Sequence, residues 1–315
     1  MILTITANPA YDVTYEVDRF VAGETYRVER VRQRAGGKGV NVSRVLTVLG
    51  VPTVATGLAS AEFAAEVAGE LTADFVPALP WVRRTLVVQQ RAPRALTTGL
   101  WEPGAPPAAD AATALLAKLD RWLPSADVVV VSGSLPPRLG ADLPATLARR
   151  ALAAGKPVIC DVSGVALREC ARVPGVVLMP NDDELHELTG MRPRIAIEVV
   201  GAARAILSTG PRLVIATRGA AGMIAVTATE AWSAAAPRPV SGNTTGAGDA
   251  AAAAVAAQLA AGITDLPAVL ATAVATSAAA VAAPVAGDID RELRARLLPE
   301  IRARRVGANQ ENPCL

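Results

Sequence analysis

Four short segments combine residue types that can do chemistry. The first is Ala35-Gly36-Gly37-Lys38-Gly39-Val40-Asn41-Val42-Ser43. Its glycines remove side-chain bulk, so a ligand can approach the backbone closely. The loop opens a helix, whose free N–H groups favour anions and hydroxyls. Lys38 adds a cation, and Asn41 faces the same way one turn on. The GxxxxGK[ST] spacing of a Walker loop is not met, and a plain glycine-rich helix start explains the segment equally well. The second is Ser241-Gly242-Asn243-Thr244-Thr245-Gly246-Ala247-Gly248-Asp249-Ala250. The N–H groups of Gly246, Ala247 and Gly248 would cradle an anion. Asp249 stands against that cradle, where the helix dipole is expected to keep it ionised. A carboxylate is a poor anion binder but a good proton acceptor for an attacking hydroxyl. Two other readings stand beside this one. Asp249 can be an N-cap, and Gly246-x-Gly248-x-x-Ala251 with Asp265 loosely matches a dinucleotide fingerprint. The fingerprint lacks its preceding strand, because 234–242 contains Pro237 and Pro239.

The third segment is Asn181-Asp182-Asp183-Glu184, after an apolar run at 176–179. Oxygen ligands at the end of a strand suit Mg2+, directly or through water. Acidic residues in the first turn of a helix are also common for structural reasons. His186, inside that helix, reads as a surface or packing residue. The fourth is Ser132-Gly133-Ser134-Leu135-Pro136-Pro137, where a hydroxyl and free amides can meet a substrate oxygen. A tight turn would look much the same.

The elements that must position these segments alternate. β-branched runs at 2–7, 53–57, 127–132, 157–161, 176–179 and 213–217 read as strands. Helical patterns occupy 39–49, 62–71, 108–122, 142–153, 182–188 and 194–208. This order predicts a mainly parallel sheet with helices on both faces. Beyond it come helices at 249–261, 266–283 and 288–304. Segments 13–34 and 83–101 have strand-like alternation with no helix between. They are expected to leave the sheet as a small antiparallel flap over its C-terminal edge, where such folds bind ligands. Residues 307–315 are polar and expected to fray. No repeat period stands out.

Composition excludes several classes. The 315 residues supply ample material for a core. Thirty-one basic against 29 acidic side chains leave a formal charge of +2, which argues against nucleic-acid or membrane-surface partners. Aromatics are 3%, too few for base-stacking platforms. With one histidine, a His-rich metal site is excluded and a Ser/His/Asp hydrolase would rest on His186 alone. Cys160, Cys170 and Cys314 form no CxxC pair, which suits a reducing cytoplasm. Lysine occurs only at 38, 118 and 156, so its presence in a glycine-rich loop carries weight. Residues 1–8 have no basic n-region and read as a strand, not a secretory signal. The uncharged stretch 266–287 reaches the ~20 residues of a membrane span. Its Ala/Thr content, with Pro267 and Pro284, reads instead as a buried helix.

With these loops in view, the chain resembles the PfkB (ribokinase-like) carbohydrate kinases from residue 1 to about 305. Segment 35–43 is similar to the first family signature, 243–249 with its Gly-Ala-Gly-Asp core to the second, and 181–184 to the NxxE element. Thr217-Arg218-Gly219-Ala220-Ala221-Gly222 is similar to the turn that contacts the nucleotide. Thr6-Ala7-Asn8-Pro9-Ala10-Tyr11-Asp12, Gly23-Glu24-Thr25, the turn at 132–137 and Glu102-Pro103-Gly104 resemble the 1-phosphofructokinase and tagatose-6-phosphate kinase branch.

The resemblance implies a three-layer α/β/α kinase domain over 1–305, with the flap as a lid and a tail at 306–315. It implies ATP and Mg2+ as cofactors and a hexose phosphate as substrate: fructose 1-phosphate, tagatose 6-phosphate or fructose 6-phosphate. Asp249 would be the base and Gly246, Ala247 and Gly248 the phosphate cradle. Asp12, Gly37, Lys38, Asn41, Arg83 and Ser134 would bind the phosphosugar. Asn181, Thr217, Gly219, Gly222 and Thr245 would bind the nucleotide, and Glu184 would serve Mg2+. A homodimer through the lid is expected. The chain departs from the family pattern at Met179, usually lysine, at the glycine-free Ala59-Ser60-Ala61-Glu62, and at Thr85, usually asparagine. A kinase of a free sugar or nucleoside and a non-catalytic nucleotide-binding regulator are the alternatives.

Overall fold

A computed structural model describes residues 1–92 and 96–307. The expected frayed tail lies outside the described residues from 308 on, as do 93–95 of the second flap segment. The chain opens with β1 (Ile2–Thr6) and sends out β2 (Ala10–Val17) and β3 (Arg30–Gly36). It returns through α1 (Lys38–Val48), β4 (Thr53–Gly57) and α2 (Ala61–Ala68), then sends out β5 (Arg83–Gln90) and β6 (Leu96–Trp101). Next come α3 (Ala111–Trp122), β7 (Val128–Gly133), α4 (Leu143–Ala153), β8 (Val158–Val162), α5 (Val165–Cys170) and β9 (Val177–Leu178). They are followed by α6 (Asp182–Thr189), α7 (Ala196–Leu207), β10 (Leu213–Thr217), β11 (Met223–Val226) and β12 (Ala231–Ala234). The chain closes with α8 (Ala247–Ala260), α9 (Leu266–Ala282), α10 (Arg291–Leu297) and β13 (Arg304–Arg305).

The main sheet has the order β13-β12-β11-β10-β9-β8-β7-β1-β4. It is parallel from β10 to β4 and antiparallel at the β11–β13 edge. Its central strands are buried on both faces, which is why β7 opens on four consecutive valines and its neighbours are mostly apolar. Val129 and Val131 of β7 face one core layer, with Phe63 and Leu115. Val128 and Val130 face the other, with α8 and α9. Helix α8 is alanine-rich, and Ala250–Ala256 are all buried apolar positions. Small side chains let α8 approach α1 and α9 closely, which fixes where its N-terminus sits. The stretch 266–287 is the packed helix α9 and the loop after it. Among the described residues no helix is long and apolar enough to cross a membrane.

The lid is a four-stranded sheet, β3-β2-β5-β6. Its β2–β3 and β5–β6 pairs are antiparallel, as expected, and join at a parallel seam between β2 and β5. Both excursions leave the same end of the main sheet, so the strands that begin them run side by side. Elsewhere the expected helix over 288–304 is shorter. It is α10, which stops before Pro299, whose ring cannot continue the hydrogen-bond ladder. The chain then adds β13 to the sheet edge. The β11–β12 hairpin and the six-residue α5 are too short to show a period in sequence.

Phe63 packs edge-on against Tyr11 and Phe75, with ring centroids 5.4 and 5.9 Å away. It has no exposed surface and ties α2 to the base of the lid. Phe63→Ala should destabilise the fold by about 3–5 kcal/mol, read as a lower urea midpoint. A shift of only a few tenths would show that this layer collapses to fill the gap.

Candidate active site

The carboxyl ends of the parallel strands carry the polar residues. Asn8 follows β1, Ser132 and Gly133 end β7, Asp161 lies near the end of β8, Asn181 follows β9 and Thr217 ends β10. Asn181 and Thr217 form an isolated parallel bridge across that end. A cavity of about 420 Å³ opens there. It runs from Lys38, Asp161 and Asp249 at its base, past Gly246, Ala247 and Gly248, to Thr217, Gly219 and Gly222 at its mouth.

Gly246 is the N-cap of α8 and adopts the left-handed conformation, φ +84°, which suits glycine. Asp249 is therefore the third helical residue, and the N-cap reading falls. Asp249 is 6% exposed. Asn41 Nδ2 donates to Asp249 Oδ2 at 3.1 Å and to Asp12 Oδ2 at 3.1 Å. One amide thus joins a lid carboxylate to one at the cavity base. Burial, then the negative charge of Asp161, pushes the Asp249 carboxyl up to about 7, against the pull of Lys38 and Asn41. The helix terminus does not keep it at an ordinary value, because loss of solvent outweighs the dipole.

Lys38 Nζ donates to Asp161 Oδ1 at 2.8 Å, and Ser132 Oγ reaches Asp161 Oδ2 at 3.4 Å. Burial alone would lower the Lys38 ammonium. The carboxylates of Asp161, Glu184 and Asp249 outweigh it and hold Lys38 well above its usual value. Asp161 is the principal residue that the sequence reading missed. A lone aspartate at a strand end belongs to no spacing pattern, and only the strand order brings it to Lys38.

Asn181 and Glu184 form a reciprocal capping box at the start of α6. Asn181 Oδ1 accepts from the Glu184 N–H, and Glu184 Oε2 accepts from the Asn181 N–H, each at 2.9 Å. Glu184 still lines the cavity, and burial raises its carboxyl despite Lys38 nearby. The acidic turn thus has the structural role of a helix cap, and it also faces the cavity. His186 contacts the Met191 carbonyl, 3.1 Å away, on the surface.

The lid brings in the remaining residues. Asp12 pairs with Thr85, and Ala10 with Arg83, so these four share one lid face. The Thr85 hydroxyl donates to Asp12 Oδ1. Arg83 Nη1 donates to the Glu102 carbonyl at 2.9 Å, and its buried Nε has no hydrogen-bond partner among the described residues. Arg84 points away and pairs with Glu102. Gly36 lies against Asp12: a Cβ there would fall 2.2 Å from Asp12 Oδ2. Gly37 is the N-cap of α1. Ser134 does not line the cavity and accepts from Asn8 Nδ2 at 3.1 Å. Thr245 also lies outside it, in a narrow cleft with Asp12, Arg34 and Asn243, while Thr244 faces the cavity. Met179 lines the cavity, and Ser60 caps α2 through the Phe63 N–H, which gives the glycine-free segment a structural role.

Residues 5–291 match the model of the pfkB family carbohydrate kinases. A 1-phosphofructokinase of Rhodobacter capsulatus is 36% identical over 256 residues, 79% of this chain and 80% of that protein. Phosphofructokinase-2 of Escherichia coli, solved in complex with fructose-6-phosphate, superposes with a TM-score of 0.84. It is 25% identical, with 95% of this chain and 98% of that one covered. Ribokinase of Arabidopsis thaliana, complexed with ribose and ATP, shares the fold at a TM-score of 0.72 and 23% identity, covering 94% of this chain and 98% of that one. The chain therefore belongs to the pfkB family of carbohydrate kinases, phosphotransferases with an alcohol group as acceptor, and is similar within it to the sugar-phosphate kinases.

Proposed function

We propose that the protein transfers the γ-phosphate of ATP to a hydroxyl of a hexose phosphate, with Asp249 as general base. The observation that carries this reading is the Asn41 amide, which links Asp12 on the lid to Asp249 beside the Gly246–Gly248 turn. A sugar held by Asp12 and Asn41 would present its hydroxyl to Asp249. The hydroxyl oxygen forms a bond to the γ-phosphorus, its proton passes to an Asp249 oxygen, and ADP leaves. The N–H groups at the start of α8 stabilise the negative charge on the transferring group. Lys38 supplies a fixed cation at the same place. The unpartnered Nε of Arg83, on the Asp12 face of the lid, suits the phosphate the sugar already carries, because a guanidinium binds a phosphate through a charge-assisted fork. The small side chains Gly219, Gly222, Ala236 and Ala278 leave room for the nucleotide at the cavity mouth.

Mg2+ fits a site of this kind. Among the described residues no three His, Cys, Asp or Glu side chains gather to hold a metal. Mg2+ commonly takes one or two carboxylates, with waters and substrate phosphates as its other ligands. Glu184, with one oxygen used in the capping box, would hold it directly or through water. Bound there, it would neutralise charge on the phosphates.

A lid-to-lid homodimer is supported by the exposure of apolar residues on the lid. Val31, Leu96, Leu100 and Trp101 are all exposed, Trp101 to 74%, and an open groove of about 400 Å³ lies between Val13, Leu86, Leu100 and Trp101.

The reading is tested by ADP release with Mg-ATP over fructose 1-phosphate, fructose 6-phosphate, tagatose 6-phosphate and the free sugars. A phosphosugar-dependent signal supports it and selects the substrate. Turnover confined to free sugars rejects the phosphosugar assignment. Silence across the panel with ATP bound rejects all of these substrates.

A further inference from the structure

A buried arginine lies beneath the Asn41 amide and enters none of the steps above. Arg44 follows Asn41 by one turn on α1 and is 3% exposed. Its Nε donates to Glu70 Oε2 at 3.0 Å, and its Nη1 reaches Asn41 Oδ1 at 3.5 Å. Its Nη2 has no hydrogen-bond partner among the described residues. Glu70 is itself 40% exposed and shared with Arg34. A guanidinium taken out of water beside one shared, half-solvated carboxylate is poorly compensated as a structural ion pair. The fold nevertheless leaves space for it. A Cβ on Gly287 would fall 3.1 Å from Arg44 Cδ and 3.0 Å from Asn41 Oδ1.

An asparagine amide has two orientations of nearly equal shape, with oxygen and nitrogen exchanged. In one, both N–H bonds of Asn41 point at the carboxylates of Asp12 and Asp249. In the other, its oxygen faces two carboxylates and its NH2 faces the Arg44 donors. We infer that Arg44 is a positioning residue, which locks the Asn41 amide through its Oδ1 so that both N–H bonds stay on Asp12 and Asp249. Glu70 anchors Arg44 from the turn after α2. This inference rests on the reading of Asp249 as the base.

Several charges surround these groups. Asp249 is faced by Asp161 from β8, by Lys38 and Asn41 from α1, and by Asp12 from β2. Lys38 is faced in turn by Glu184 from α6. Arg44 is faced by Glu70, by Arg34 from β3 and by Asp12. Donation from Asn41 favours ionised Asp249, so an amide free to flip leaves that carboxyl harder to ionise.

The test compares Arg44→Met, which keeps an apolar stem and removes the donors, with Arg44→Lys. In Arg44→Met, kcat for the phosphosugar should fall about tenfold or more, as for loss of one charge-assisted hydrogen bond. The acid limb of its kcat/KM profile should move to higher pH, with the KM for ATP unchanged, and Arg44→Lys should restore part of the limb. A second readout needs no substrate. A carboxyl whose pKa is raised by folding adds stability at low pH, which is lost as pH rises from about 4 through about 7. The Tm of the parent minus that of its Asp249→Asn derivative should therefore fall over that window and level off above it. In the Arg44→Met background the fall should continue to higher pH. Should Arg44→Met not fold, Arg44→Lys and Glu70→Gln carry the same comparison. An unmoved limb, or the same Tm window in both backgrounds, overturns the inference. A parent inactive on the whole substrate panel rejects the substrate reading instead, and the Tm comparison still decides the role of Arg44.

Discussion

Asp249→Asn is expected to bind ATP and to lose nearly all turnover. The amide has the shape of the carboxyl but cannot take a proton from the sugar hydroxyl. General-base catalysis is commonly worth about 10²–10⁴-fold, and the loss in kcat should fall in that range. The wild-type pH profile follows from the same residue. Its carboxyl is raised to about 7 by burial and by Asp161, and only the ionised form can act as base. Wild-type kcat/KM should drop about tenfold per unit below that pH, and the residual rate of the variant should not show this limb. The fold should be preserved, since an amide at this buried position carries no charge to desolvate. ADP release and calorimetric ATP binding, measured on one preparation, check both halves. Near wild-type turnover would remove Asp249 from the mechanism.

The second large effect belongs to Arg83. Arg83→Ala should raise the KM for the phosphosugar about 10–100-fold, the usual range for a hydrogen bond to a charged group, and change the KM for ATP little. The register is the reason to choose Arg83 over its neighbour. Arg83 pairs with Ala10 and shares the face of Asp12, whereas Arg84 pairs with Tyr11 and turns outward to Glu102. Arg84 is 66% exposed in that ion pair, and such surface pairs contribute only about 0–1 kcal/mol. Arg84→Ala is therefore the matched control and should leave both constants nearly unchanged. Equal effects of Arg83→Ala on the sugar and ATP constants would reject its assignment to the sugar phosphate. Undiminished activity on free sugars, with none on phosphosugars in the wild type, would point to a different acceptor.

Much of this architecture was legible because burial on both faces of a parallel sheet leaves a mark. Runs such as Val128-Val129-Val130-Val131 have no polar partner to alternate with, and they stood out between helical segments. The lid segments were legible through their alternation, but the β2–β5 seam was not, because strand pairing at long range has no local signature. In the site, the glycine-rich loops pointed to the helix N-termini that the structure shows. Asp161 and Arg44 had no such pointer, since each matters through a neighbour distant in the chain or one turn away. The ionisation of Asp249 was anticipated from the helix terminus alone. Its solvent exclusion, which reverses the outcome, depends on α1, β2 and β8 together and could not be read from residues 246–249.

The β2–β5 seam also bears on the order in which the molecule becomes competent. It joins partners such as Asp12 and Thr85, 73 residues apart, and the intervening chain holds β4 and α2. Closing a loop of that length carries an entropy cost before any contact across it can offset the loss, and pairings of this kind form slowly. The main sheet closes over longer spans still, since Ile2 of β1 pairs with Val128 of β7 and Asn41 meets Asp249 across most of the chain. Lid, sheet and cavity are therefore expected to form in one late, concerted step. A chain just short of its native state would lack the buried base as well as the face that holds a sugar, so nothing that meets nucleotide is built ahead of what uses it.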